Sequence, residues 1–303
     1  MAANVSEKLP LQYASNSIPF NASDEARRTF MPPSDSFHPL TPDKMADFVF
    51  VTAASSNHFN EVVDAIASIQ TLMPRKQIYF FDIGLRADQI AKVKDWCLVT
   101  YRYFNFSEVP KFTKHPLKAI AWKPLVIEKT LREKSAAFWV DASFRLLKTP
   151  DMSEAYRVAR RNGGFVMLYG LRHSTFAVTM PNMYRYLSTD VNAQKNITQF
   201  GSGMLLVYRT EKVFRDILWW WVRCSQDADC FVPHSCPTCR FKKDRYKPFA
   251  NCHRFDQSAI NIIMSNIWLR DNRMLYTAND TFFRVVRSVT HMYSIKTCNV
   301  TSV

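Results

Sequence analysis

At 303 residues with 47% hydrophobic residues, the chain is long enough for one large α/β domain or two small ones. Forty Lys and Arg against 26 Asp and Glu leave a formal net charge of +14, which favours an anionic partner. The basic residues are dispersed and no RNA- or DNA-binding module is present, so nucleic acid is disfavoured; no run of 18 apolar residues predicts a membrane span.

Residues 1–46 are expected to form an irregular lead or stem, because Pro10, Pro19, Pro32, Pro33, Pro39 and Pro42 interrupt any helical stripe. Regular structure is predicted from Asp47–Thr52, a short run of strand formers, followed by a helix over Asn60–Met73 with Val62, Ile66, Ile69 and Met73 on one face. Ile78–Phe81 is the next strand and ends in Asp82-Ile-Gly. A short helix through Ile90, Val93 and Trp96 leads to a strand at Leu98–Tyr103. This alternation predicts a mostly parallel sheet with right-handed crossovers and a functional edge at the carboxyl ends of its strands.

Pro124 suits the first turn of a helix running to Lys134, and Ala136–Asp141 is a buried strand ending in a carboxylate. Residues 152–161 are expected to be helical and Gly164–Gly170 an interior strand. Gly201-Ser-Gly introduces a strand at Met204–Tyr208, and a helix follows from Thr210 through Trp221. In Trp219-Trp-Trp at least one indole must face outward. Residues 224–252 break the rhythm with cysteines, prolines and the basic run Arg240–Lys247, and are expected to be an insertion within a single domain spanning 47–303. A helix at Phe255–Trp268 and a strand near Phe282–Val286 complete the chain.

Cys224, Cys230, Cys236, Cys239 and Cys252 crowd the insertion while Cys97 and Cys298 lie apart. Disulfides are the first expectation, leaving one thiol of the seven unpaired; a zinc site from His234, Cys236, Cys239, Cys252 and His253 is the alternative. Asn-x-Ser/Thr occurs at Asn4, Asn21, Asn105, Asn196, Asn279 and Asn299. Sequons and cysteines together favour the secretory-pathway lumen, the Golgi or secretion, whereas the missing leader segment favours the cytoplasm. The basic run with Phe241 and Tyr246 reads as a solvated loop, an anionic-glycan surface or a single-strand nucleic-acid platform.

The candidate chemistry centres on Asp141. A carboxylate at a strand's carboxyl end can hold a divalent cation over a nucleotide diphosphate, with Ser143 or water completing its shell, or it can cap a turn. Asp82 is a candidate for the nucleoside or for the turn at Gly84, and Thr52 lies toward the exit of the first strand. No Walker sequence and no GxGxxG is present, which disfavours ATP and NAD chemistry. Asp256 and Gln257 open a helix, where they would meet sugar or acceptor hydroxyls or cap the helix. Gly203 allows close backbone approach to a donor sugar or serves a plain turn, and His291 and Lys296 are candidates for metal ligation and diphosphate contact.

In order, Phe48-Val-Phe-Val-Thr-Ala, Ile78-Tyr-Phe-Phe-Asp-Ile-Gly-Leu, Trp122-Lys-Pro, Phe138-Trp-Val-Asp-Ala-Ser, Gly201-Ser-Gly-Met-Leu-Leu-Val and Phe255-Asp-Gln-Ser-Ala-Ile-Asn resemble type A (GT-A) nucleotide-sugar glycosyltransferases, in particular a glycosyltransferase-like family expanded in nematodes. The resemblance covers about residues 47–295. It implies a GT-A-like, Rossmann-type α/β domain with a mostly parallel mixed sheet, a hexosyltransferase-type activity, a UDP-sugar donor and a protein- or lipid-linked glycan acceptor. It further implies Mn2+ or Mg2+ bound through an Asp-x-Asp pair. Asp141 matches one acid of that pair and Ser143 stands where the second is expected, which leaves a catalytically inactive glycan-binding or scaffold protein as the alternative. The Asp256–Gln257 pair matches a segment beside the transferred sugar in retaining relatives, and His291 with Lys296 faintly matches late residues that meet metal and diphosphate.

Overall fold

The computed structural model describes residues 23–114, 120–232, 238–268, 282–287 and 292–298. Among them the strands, in chain order, are β1 (Val49–Ala54), β2 (Ile78–Asp82), β3 (Val99–Tyr103), β4 (Ala136–Val140), β5 (Phe144–Leu146), β6 (Phe165–Met167), β7 (Gly170–Ser174), β8 (Thr198–Phe200), β9 (Met204–Tyr208) and β10 (Phe283–Val285). Six of these form one sheet in the order β3-β2-β1-β4-β9-β6. β1 through β4 are parallel, and β9 runs antiparallel to both β4 and β6, so β6 shares the direction of the first four. Helices Phe59–Leu72, Ala87–Lys94 and Lys123–Glu133 link the parallel strands in turn. This is the α/β class with a mostly parallel mixed sheet that the sequence predicts.

Continuous apolar runs form the central strands because both faces of the sheet are covered. Val49, Val51 and Ala53 of β1 join Trp139 of β4 in one core layer, and Phe50 and Ala54 join Phe138 in the other. Phe50 and Phe138 stack with ring centroids 5.0 Å apart. Helix Phe59–Leu72 supplies Val62, Ile66 and Ile69 to the second layer, whereas helix Lys123–Glu133 supplies Val126, Ile127 and Leu131 to the first. Phe138 is fully buried in the middle of this arrangement, so Phe138→Ala costs about 3–5 kcal/mol. Two small antiparallel ribbons, β5 with β10 and β7 with β8, lie outside the main sheet.

Two regions depart from the sequence reading. Within the expected irregular lead, Asp24–Phe30 is a helix whose Ser23 side chain accepts from the Ala26 amide. Phe30 packs edge-on to Trp219 at 5.3 Å, and Arg27 lies over Trp220, the half-buried member of the tryptophan triplet. Seven residues are too few to show a persistent apolar stripe, and one anchoring ring is enough to hold them. The helix after β9 opens as a π-helix over Val213–Leu218 before becoming α-helical at Trp219–Ser225.

The insertion is disulfide-bonded: Cys224 pairs with Cys230 and Cys239 with Cys252, while Cys97 pairs with the distant Cys298. These bonds consume Cys239 and Cys252, and His253 is bonded at both ring nitrogens to backbone, so the zinc alternative fails. His234 and Cys236 lie outside the described residues.

Candidate functional site

Three backbone elements meet where β4 gives out its carboxyl end. Val140 pairs with Met204, and the Asp141 amide donates to the Gly203 carbonyl at 2.9 Å, so the Gly201–Gly203 turn lies directly beside Asp141. The amino end of helix Phe255–Trp268 faces the same turn, where the Ser202 hydroxyl donates to Asp256 Oδ2 at 2.7 Å. The third element is the start of helix Lys123–Glu133, with Pro124 in its first turn.

Lys123 joins them. Its side chain is fully buried, with Nζ 3.0 Å from Asp141 Oδ1 and 2.9 Å from Asp256 Oδ2. Trp139, on the strand leading to Asp141, places its ring 5.3 Å from that ammonium and donates its indole N–H to the same Asp141 oxygen at 2.7 Å. Burial alone would push Lys123 down, but the Asp141 and Asp256 carboxylates outweigh it and hold the ammonium above its ordinary value. Burial pushes the Asp256 carboxyl up, with the Lys123 charge pulling it back. A buried charge pair of this kind persists only when every partner is in place. Asp256 is closed off, at 4% side-chain exposure, whereas Asp141 keeps 32% and turns to the crevice.

Backbone strain flanks both ends of the Lys123–Asp256 pair. Phe255 has φ 37° immediately before Asp256, and Ile120 has φ 59° three residues before Lys123. Left-handed backbone is costly for a bulky or β-branched residue and collects at functional sites, where surrounding contacts over-determine it.

The crevice therefore unites Asp141, Asp256 and Gln257 of the residues singled out by sequence. The Gln257 side-chain amide donates to Gln199 Oε1 at 2.7 Å, and its own oxygen accepts from the Ser202 amide at 3.4 Å. Ser143 follows Asp141 at the mouth, its carbonyl accepting from the Val286 amide at 2.7 Å. Gly203 is in place, and protein packing by itself requires its lack of a side chain. A Cβ there would meet Phe144 at 2.4 Å, and one at Gly201 would meet the Tyr169 ring at 1.9 Å.

Three other candidates are elsewhere or already engaged. Asp82 accepts from the Gly84 and Leu85 amides at 2.8 and 2.7 Å and from the Tyr101 hydroxyl at 2.7 Å, which makes it the cap of its own turn. Thr52 is an interior strand residue, 2% exposed and in register with Phe80, two positions short of the end of β1. Lys296 is held near the start of β3: its ammonium donates to the Gln70 carbonyl at 3.1 Å and its carbonyl accepts from the Cys97 amide at 2.9 Å. Gln70 lies in the last turn of helix Phe59–Leu72, which returns to the amino ends of the strands, so Lys296 is at the wrong edge for a ligand over Asp141. His291 is outside the described residues.

Sequence reasoning assigned no role to Lys123, Ser202 or Tyr169. The Tyr169 hydroxyl accepts from the Gly203 amide at 3.3 Å, and burial, then the Asp141 and Asp256 charges, push its phenol up. The available signal was the pair of glycines two residues apart, which implies a large side chain lying against that turn.

A family model described as "Protein of unknown function (DUF1647)" matches residues 34–128. No curated protein matches the chain. Among solved structures, the galactosyltransferase LgtC bound to donor and acceptor sugar analogues is similar over 76% of this chain and 73% of that one, at 12% identity and a TM-score of 0.42. Mouse xyloside xylosyltransferase 1 in its apo form is similar over 77% of this chain and 85% of its own, at 8% identity and a TM-score of 0.43. The glycosyltransferase GlyE of Streptococcus pneumoniae TIGR4 is similar over 77% of this chain and 45% of its own, at 10% identity and a TM-score of 0.42.

Proposed function

We propose that this chain is a hexosyltransferase-type glycosyltransferase that moves a sugar from a UDP-sugar to a hydroxyl of a protein- or lipid-linked glycan, in the manner of the nematode-expanded family its motifs resemble. The observation that carries this reading is the Asp141–Lys123–Asp256 constellation. It places a partly exposed carboxylate at the carboxyl end of a central strand and fixes it by a buried ammonium. Lys123 and Trp139 orient Asp141, Asp256 holds Lys123, and Gln257 presents a side-chain amide beside the Gly201–Gly203 turn. Three disulfides suit an oxidising compartment, and we place the protein in the secretory-pathway lumen.

The resemblance implies Mn2+ or Mg2+ at Asp141, a cation that when bound would offset diphosphate charge. Among the described residues no group of three His, Cys, Asp or Glu side chains is arranged to hold it, Ser143 stands where the second acid is expected and Lys123 shares the Asp141 oxygen, while His291, the other candidate ligand, lies outside them.

The test is a panel of nucleotide sugars offered to the wild type and Asp141→Asn, with mass spectrometry of the products. Transfer or donor hydrolysis by the wild type and its loss in the variant are expected; full transfer by the variant rejects the role of Asp141. One observation favours the second reading, an inactive glycan-binding protein: Asp256 is sealed behind Lys123 and Ser202, away from any acceptor. Glycan binding without turnover of any donor would establish it.

A further inference from the structure

Resting on the nucleotide-sugar reading, we propose that Arg254 and Arg287 form a metal-independent diphosphate clamp over Asp141, replacing the cation that a second acid at position 143 would have held. Strand pairing sets the position of Arg287. β10 is antiparallel to β5, Val285 lies opposite Phe144, and the Val286 amide donates to the Ser143 carbonyl at 2.7 Å. The chain at residue 287 therefore passes the Ala142–Ser143 segment, immediately beyond Asp141.

Arg254 reaches the crevice from the other side. Its amide donates to the Val178 carbonyl at 3.1 Å, and its carbonyl accepts from the Gln257 and Ser258 amides at 2.9 and 3.2 Å. This anchors it two residues before Asp256. Both arginines are exposed, and among the described residues neither is in a salt bridge with a carboxylate.

The two guanidinium groups feel one another and the crevice. Burial of its inner part and then the Arg287 charge push Arg254 down, opposed by Asp256 and the Tyr169 phenol. Arg287 in turn acts on Tyr169, the ring that lines the Gly201–Gly203 turn. Three cations, Lys123, Arg254 and Arg287, are thus gathered around Tyr169 and two carboxylates, Asp141 and Asp256. The surplus positive charge is carried by the two exposed groups, whose mutual repulsion an anion would relieve. Planar guanidinium groups bind phosphate oxygens through paired N–H donors, and two of them flanking a crevice match a diphosphate better than a lone phosphate. Ser143 then fits the site: a second carboxylate at that position would compete with the phosphate for Arg287.

The experiment is calorimetric titration of UDP, GDP and inorganic pyrophosphate into the full chain, in EDTA and in Mn2+. Binding of comparable strength in both buffers is expected. Arg287→Ala and Arg254→Ala should each weaken it by about tenfold or more, while Arg287→Lys keeps part of the affinity. Affinity should also fall as salt is raised. All three substitutions are at exposed side chains, and an unchanged melting temperature confirms that the fold is intact. Binding that requires Mn2+ and ignores both arginines overturns the clamp and leaves the glycosyltransferase reading standing. No binding of any of the three anions in either buffer overturns both.

Discussion

Asp82 and Asp141 occupy equivalent places in sequence, each closing an apolar strand at the carboxyl edge of the same sheet, yet their surroundings have opposite consequences. Asp82 spends both oxygens on its own neighbourhood, two backbone amides of the following turn and the Tyr101 hydroxyl of the adjacent strand. Asp141 commits one oxygen to Trp139 and Lys123 and keeps a third of its side chain in solvent. A strand-terminal carboxylate faces ligand only when the turn after it does not consume it. After Asp82 the chain doubles back through Gly84, whereas after Asp141 it continues into β5.

The largest effect is expected from the residue that makes Asp141 different. Lys123→Met removes the ammonium and leaves Asp256 buried without its counter-charge, costing about 3–5 kcal/mol of stability by denaturant titration. Adding Asp256→Asn to that variant should return part of the loss, because the uncompensated charge is then gone. Recovery of nothing in the double variant would mean that Asp256 does not depend on the Lys123 charge.

A pH effect of similar size separates the crevice from the insertion behind it. His253 is held neutral, Nδ1 accepting from the Met180 amide and Nε2 donating to the Phe231 carbonyl. Burial pushes it down to about 4. The unfolded chain binds that proton near pH 6.5 and the folded one only near 4, so stability is full above 6.5 and falls as pH drops through this window, by about 3 kcal/mol. Unfolding midpoints between pH 7 and pH 4 measure the slope, and His253→Asn should flatten it.

Asp82→Ala should cost about 2–3 kcal/mol through three lost hydrogen bonds and leave nucleotide affinity within about twofold of wild type. A loss of about 1–2 kcal/mol is expected of Asp141→Asn, which keeps an acceptor for Trp139 and removes one of the two carboxylates that offset the fully buried Lys123, the other, Asp256, staying in place. Its nucleotide-sugar turnover should nevertheless fall by about tenfold or more. A variant pair in which Asp82→Ala abolishes turnover and Asp141→Asn spares it would reverse the comparison between the two aspartates.

The central strands of the sheet were legible because they are apolar on both faces, the edge strand β3 through its β-branched and aromatic residues, and Phe138–Asp141 announced its own end with a charge. Lys123 was not legible. In Trp122-Lys-Pro a lysine at a helix start reads as a solvated residue, and only the meeting of β4, the glycine turn and helix Phe255–Trp268 buries it. Thr52 and Lys296 were misplaced for the converse reason: a polar side chain near a strand end, or late in the chain, carries no record of which edge of the sheet it reaches. The pairing of Cys97 with Cys298 joins segments whose proximity depends on the whole intervening fold.

That bond has a topological consequence. It closes residues 97–298 into a covalent ring that contains Lys123, Asp141 and Asp256 and both proposed arginines, while β1 and β2 remain outside it. A ring spanning 201 residues removes enough freedom from the unfolded chain to stabilise the fold by about 5 kcal/mol in the loop-closure account. β10 is consequently tethered on both sides, by its ladder to β5 and by the closed ring. Unravelling from the carboxyl side stops at Cys298 until the bond is reduced, so a thiol reductant loosens the chain segment that carries Arg287, and with it one half of the proposed clamp, while Lys123, Asp141 and Asp256 keep their mutual contacts.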